Sequence, residues 1–296
     1  MSKPGRDGTS AAAAPADAAA AEAGRREFRY SRGDFERVRA LIHRRAGIAL
    51  APGKQDMVYS RLVRRLRHHG LRSFAEYLDL LERDGGDEWE AFTNALTTNL
   101  TDFFREAHHF DALRGLLGAQ PASARLQIWS AAASTGEEPY SIAMTAVEHF
   151  GGFHAPVAVL ATDIDTQVLD TARRGVYPAE RLAKLGDERR RRFFLRGTGP
   201  NEGYCRVRDE LRRLVEFRPL NLLDARWDLR GPFAAVFCRN VMIYFDKATQ
   251  RAIVEKILPL LAPGGLFFAG HSESFLHAAD LLKSCGRTTY RRAGEA

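Results

Sequence analysis

From about residue 93 onward, short apolar runs alternate with stretches of helical periodicity, and this alternation restricts the chain more than any other feature. The runs are Leu126 to Trp129, Val157 to Ala161, Leu214 to Phe217, Phe233 to Phe237 and Leu266 to Ala269. Strands that alternate with helices pair in parallel and need both faces covered, so the expected fold class is α/β with a doubly wound, mostly parallel sheet. Between the second and third runs lies a long insertion, at about residues 180–212. In it, Phe193 to Arg196 and Tyr204 to Val207 flank Gly197-Thr-Gly-Pro-Asn-Glu-Gly203, which predicts a separate antiparallel β-hairpin. No internal repeat of the solenoid kind is present.

The region ahead of the sheet has a different period. Phe35, Val38, Leu41 and Ile42 recur at helical spacing, Gly47 sits where a left-handed cap belongs, and Ser73-Phe-Ala-Glu76 resembles a capping box opening a helix that buries Phe74, Tyr77, Leu78 and Leu81. Residues 27–92 therefore form a small helical domain, residues 93–296 the larger one, and the Ala/Gly-rich residues 1–26 a disordered tail. With 45% hydrophobic and 27% charged residues, the chain as a whole has an ordinary globular composition. The formal net charge of +7 predicts attraction to acidic partners and by itself leaves nucleic acid, anionic membrane and acidic protein surfaces open. Cys205, Cys238 and Cys285 are odd in number and widely spaced, so they read as reduced, cytosolic thiols. No apolar run approaches the ~20 residues of a membrane helix, and Pro15, Asp17 and Glu22 break the early alanine run, so a cytoplasmic protein, neither exported nor inserted, is expected.

The first strand runs into Trp129-Ser-Ala-Ala-Ala-Ser-Thr-Gly-Glu-Glu-Pro139 and then a helix. Small side chains let a ligand approach the backbone, and a proline just inside a helix fits its free amino-terminal amides. One glycine and two acids suit a positively charged ligand better than a pyrophosphate. The second strand ends in Thr162-Asp163-Ile164-Asp165, where a doubly wound sheet holds ribose hydroxyls, and the third leads to Asn221-Leu222, an amide and an apolar side chain of the kind that recognise a base. A phosphate-free adenosine cofactor satisfies all three observations.

Four segments then carry a resemblance: Asn94-Ala-Leu-Thr-Thr-Asn-Leu-Thr-Asp-Phe-Phe-Arg-Glu106, Trp129-Ser-Ala-Ala-Ala-Ser-Thr-Gly-Glu-Glu-Pro-Tyr-Ser141, Phe237-Cys-Arg-Asn-Val-Met-Ile-Tyr-Phe245 and Gly270-His-Ser-Glu273. In this order they closely resemble the chemotaxis receptor methyltransferase (CheR) family, across nearly everything after the tail. The resemblance implies an S-adenosylmethionine pocket, yielding S-adenosylhomocysteine, lined by Asn99, Thr101, Arg105, Glu137, Asp163, Asn221, Leu222, Arg239 and Asn240. The residue chemistry agrees: Glu137 can neutralise the cofactor's ammonium, Asp163 can accept from ribose hydroxyls, Asn221 can bond adenine and Arg105 can reach a carboxylate.

The implied reaction is esterification of receptor glutamates. A glutamate with an ordinary pKa of about 4.3 is already ionised at neutral pH, so no strong base is needed and orienting groups matter most. The resemblance selects Arg105 to hold the carboxylate and Tyr244 to position it. Without it, Arg105 reads as a surface charge paired with Glu106 or a neighbour, and Tyr244 as a core aromatic. His271 is expected to be a buried, hydrogen-bonded structural residue. No His/Cys/Asp cluster has metal spacing, so no metal is expected.

Between Lys54 and Arg72, Val58, Tyr59, Leu62, Val63 and Leu66 make an apolar stripe, with Lys54, Arg61, Arg64 and Arg65 opposite and Arg67 at the seam. A solvated face is the plain reading of such a charge run. The resemblance implies instead a surface facing the cytoplasmic, acidic helical bundle of methyl-accepting receptors. In some family members the hairpin also captures a receptor carboxy-terminal peptide by strand addition. Three rivals are weaker. A nucleic-acid methyltransferase would carry an Asn/Asp-Pro-Pro-aromatic element where Cys238-Arg-Asn-Val241 stands, so no nucleic-acid partner is expected. A nonenzymatic adaptor predicts a broken pocket, and a nicotinamide dehydrogenase would want more glycine in the first loop.

Overall fold

The computed structural model describes residues 26–121 and 124–295, so the expectation for the first 25 residues lies outside the described range. Helices α1 (Arg32–Ala46), α2 (Gln55–His68), α3 (Phe74–Asp84) and α4 (Glu88–Leu96) build the amino-terminal part. Ser31 and Asp34 form a reciprocal capping box on α1, and Gly47 ends it in the left-handed region at φ 68°. Ser73 caps α3 by accepting from the Glu76 amide, but the Glu76 carboxylate reaches back to the Arg72 amide and leaves this box half closed. Phe35, Leu62, Phe74, Tyr77 and Phe92 are wholly buried in one core. Each such side chain contributes roughly 1.5–3 kcal/mol of hydrophobic stabilisation.

The larger part begins with α5 (His108–Gly118) and continues through β1 (Leu126–Ser130), α6 (Glu137–Phe150), β2 (Val157–Asp163), α7 (Thr166–Arg174), β3 (Val176–Pro178), α8 (Gly186–Phe193), β4 (Phe194–Arg196), β5 (Tyr204–Val207), α9 (Asp209–Arg212), β6 (Val215–Pro219), β7 (Phe233–Phe237), α10 (Lys247–Ile257), β8 (Leu261–Phe268), β9 (Leu282–Gly286) and β10 (Thr289–Arg292). The main sheet has the order β6-β2-β1-β7-β8-β10-β9, with the first five strands parallel and β10 antiparallel to both neighbours. Strand order reverses between β1 and β7. β1 and β7 stay in register to Ser130 and Phe237, the Ala131 amide donates to the Phe237 carbonyl at 2.8 Å, and beyond this a crevice opens at the switch point.

Two departures from the sequence reading concern polar edges. β9 and β10 close the sheet with only Leu282 and Thr289 buried, so they lack the apolar run that marks the inner strands. The insertion is a three-stranded antiparallel sheet, β3-β5-β4, not a hairpin alone, and it starts at Val176. A three-residue strand is too short to show a period.

Candidate active site

A cavity of about 460 Å³ lies over the switch point and is walled on one side by the amino-terminal helices. Its size is that of a small-molecule cofactor site. Asn99, Thr101, Arg105, Asp163, Asn221, Leu222, Arg239, Asn240 and Tyr244 all line it. They come from the α4–α5 linker and from the ends of β2, β6 and β7, so only the closed sheet unites them.

Asp163 ends β2 nearly buried. Its Oδ2 accepts from the Ser134 amide at 2.8 Å and its Oδ1 from the Asp165 amide at 2.9 Å, which fixes the carboxylate and leaves further lone pairs toward the cavity. Burial pushes its pKa up to about 6, against the lowering effect of these amides. Ser134 itself holds a left-handed φ of 49°, which turns its amide onto Asp163. Asn99 donates to Asp165 Oδ2 at 2.8 Å, while Asn221 donates to the Arg45 carbonyl at 2.8 Å and accepts from the Leu223 amide, pinning this wall of the cavity to α1. Half-buried Arg105 is not on a helix. Its guanidinium donates to the Leu100 carbonyl at 2.9 Å, and its neighbours Phe104 and Glu106 both hold positive φ, 53° and 59°.

One acid needs correcting. Glu137 is buried but its carboxylate turns away from the cavity, to the Thr135 hydroxyl at 2.6 Å and to Arg181. Glu138 is the acid that lines the cavity; it accepts from Ser130 at 2.7 Å and from Arg239 at 2.8 Å. Burial pushes the Glu138 carboxyl up and Arg239 opposes that shift. Adjacent helical side chains point about 100° apart, so only one can face the crevice. Every residue from Glu137 to Val147 is buried, so apolar periodicity offered no means of choosing between them.

The expected cationic face is also altered. Arg61 turns inward, donates to the Leu96 and Thr97 carbonyls and lines the cavity. Arg65 is held bidentately by buried Glu88, whose carboxyl is drawn down to about 2 against its own burial by Arg65, His69 and Tyr77. Arg67 pairs with Glu27 on the surface. Lys54 is exposed at the cavity's edge, and Arg64 is exposed with no ion pair among the described residues. Spacing on a wheel could not reveal these partners, because they come from α4, the α4–α5 linker and the start of the chain.

His271 is exposed, not buried, and bonds Glu106 at 3.2 Å and Ser272 at 3.0 Å. Glu273 of the same turn accepts from the Asn240 and Ile243 amides and so shapes the β7–α10 loop. Glu106, His108 and His109 do bring three potential metal-ligand atoms together, a grouping their spacing did not predict. The Arg239 guanidinium lies 3.4 Å from Glu106 Oε2 and balances that carboxylate's charge.

The residues fit S-adenosylmethionine. The start of α6, where a pyrophosphate would dock, presents Glu138 to the cavity, and an acid there repels phosphate while suiting a sulfonium or an ammonium. Two Cβ-free positions keep the loops behind the cavity wall closely packed: a side chain at Gly136 would meet Tyr177 Oη at 2.8 Å, and one at Gly270 would meet cavity-lining Asn240 at Nδ2, 2.3 Å away.

Comparison with known proteins agrees. Residues 99–291 match the CheR methyltransferase, SAM binding domain, and residues 33–97 the CheR methyltransferase, all-alpha domain. The chain is 58% identical over 271 residues to chemotaxis protein methyltransferase 2 of Pseudomonas aeruginosa, covering 91% of this chain and 96% of the relative. It is 54% identical over 257 residues to the chemotaxis protein methyltransferase of Escherichia coli, covering 86% and 89%. With both domains matched in order over the architecture described above, the chain belongs to the CheR methyltransferase family and is an S-adenosylmethionine-dependent methyltransferase.

Proposed function

We propose that this enzyme esterifies glutamate side chains on chemotaxis receptors, yielding glutamate methyl esters and S-adenosylhomocysteine. The observation that carries this reading is the convergence of Asp163, Glu138, Asn221 and Arg105 on one cavity, an acid-rich adenosyl site beside a cation. The bound cofactor supplies an electrophilic methyl group on a sulfonium. Asp163 would hold the ribose hydroxyls, Asn221 and Leu222 would hold the base, and Glu138, the cavity-lining acid of α6, would take the role first given to Glu137 in offsetting the cofactor's positive charge. Asn99, Thr101, Arg239 and Asn240 complete the wall. Arg105 draws in an already ionised glutamate and Tyr244 limits its angle of approach, so positioning supplies the rate.

For receptor docking, Arg64 and Lys54 are the residues of the expected cationic face that stay exposed without an ion pair among the described residues, and a helical bundle rich in acids is their partner. The edges of the three-stranded sheet, β3 and β4, offer unpaired backbone to a receptor peptide. Transfer of labelled methyl groups to receptor-bearing membranes, with base-labile release of methanol, tests the main reading. Arg105→Ala should lower turnover at least a hundredfold in folded protein, on the scale of about 10²-fold for a misplaced reacting group; near wild-type turnover removes Arg105 from the mechanism. Label on DNA or RNA would overturn the assignment of substrate.

A further inference from the structure

Arg105 has little of its own to hold it. Among the described residues its side chain makes one hydrogen bond, to Leu100, and the residues on either side hold left-handed backbone that non-glycine residues rarely adopt. Such geometry persists only where surrounding contacts enforce it, and it clusters at functional sites. The Phe104 amide donates to Ser141 Oγ at 3.0 Å, and the contacts on the Arg105–Glu106 side converge on one carboxylate. Glu106 Oε1 accepts from Asn240 Nδ2 at 3.3 Å and faces His271 Nδ1 at 3.2 Å, while Oε2 faces Arg239 at 3.4 Å. Arg239, in turn, donates to the Arg105 carbonyl and to Glu138. Asn240 is itself left-handed, at φ 59°. Two loops with unfavourable backbone, distant in sequence, are thus clasped through Glu106.

We infer that Glu106 is a positioning residue for methyl transfer, clasping the Phe104–Glu106 loop to Arg239 and Asn240 and so aiming Arg105 at the incoming carboxylate. This rests on the role given to Arg105 above. Glu106 does not line the cavity, so it acts through its neighbour. Burial works to raise its carboxyl, but the Arg239 guanidinium, with hydrogen bonds from His271 and Asn240, outweighs this and holds it down at about 2, so the clasp is ionised at neutral pH.

The test uses the full-length enzyme with receptor-bearing membranes and compares Glu106→Gln, Glu106→Ala, Arg105→Ala and the double variant Arg105→Ala/Glu106→Gln. Glu106→Gln keeps the shape and the acceptor for Asn240 but loses the charge opposite Arg239. We expect kcat to fall about tenfold in Glu106→Gln and further in Glu106→Ala, with S-adenosylhomocysteine affinity within about fivefold of wild type, since ångström-scale misplacement alone costs about 10²-fold. The double variant should be no slower than Arg105→Ala, because residues acting as one unit do not add. Wild-type kcat in Glu106→Gln, a loss confined to melting temperature, or multiplying effects in the double variant would each refute the clasp while leaving Arg105 in place. Wild-type turnover in Arg105→Ala would instead overturn the reading on which the inference depends.

Discussion

Replacing Asp163 by Asn tests the cofactor site most directly, because the structure dictates what is lost. Both carboxylate oxygens already accept a backbone amide, from Ser134 and from Asp165. An Asn side chain can satisfy only one of them and aims its own N–H at the other, which leaves a buried donor unpaired. It also removes one charged acceptor for a ribose hydroxyl, worth about 1.5–3 kcal/mol. S-adenosylhomocysteine should then bind about 10- to 150-fold more weakly by calorimetry at pH 8. The pH dependence sharpens the test. Because burial raises this pKa from 3.8 to about 6, the folded state holds the proton more tightly than the unfolded one, so the carboxyl detracts progressively from stability as pH rises from about 4 to 6. Ligand affinity runs the opposite way, since the ribose needs the ionised form. At pH 5 about one-tenth of the sites are ionised, which costs about 1.4 kcal/mol and weakens binding about tenfold relative to pH 8. In Asp163→Asn that slope should vanish. Equal pH slopes in wild type and variant, or a variant affinity within threefold at pH 8, would refute the reasoning.

Exchanging the two acids of α6 separates cavity from scaffold: Glu138→Gln should weaken cofactor binding tenfold or more by calorimetry, whereas Glu137→Gln should mainly loosen Arg181 and lower the melting temperature. Breaking a buried pair from one side costs about 3–5 kcal/mol, so Glu138→Gln should also melt several degrees lower. Arg64→Glu should raise the Michaelis constant for receptor, more so at low salt, and leave the melting temperature unchanged. Arg65→Glu should destabilise the helical domain, because it sets a like charge against buried Glu88, and a normal thermal melt would contradict that pairing. Gly270→Ala should cost cofactor affinity without loss of fold, since its Cβ would push Asn240 aside; unaltered affinity would show that the β7–α10 loop tolerates the shift.

Much of this protein was legible in its residues. The alternation of apolar runs specified the parallel strands, because a strand covered on both faces must be apolar along its length. The small and acidic loop after β1, with Asp163 after β2, declared an adenosyl site without phosphate because those residue types exclude a pyrophosphate by charge. Gly47 and Ser73 marked helix ends through local backbone chemistry alone. Tertiary contact decided the rest. Whether Glu137 or Glu138 faces the cavity depends on the rotation of α6 against β1, and a helix buried all round carries no periodicity to report it. Whether Arg61 and Arg65 are docking cations or internal ties depends on carbonyls and a carboxylate some 23–36 residues away. The edge strands β3 and β9, and the short β10 beside β9, exist because a neighbour supplies their hydrogen bonds, a fact no short polar segment can announce. Sequence sets which chemistry is available, and only the closed fold determines which groups are near enough to use it, since charge pairing and side-chain orientation fall off within a few ångströms.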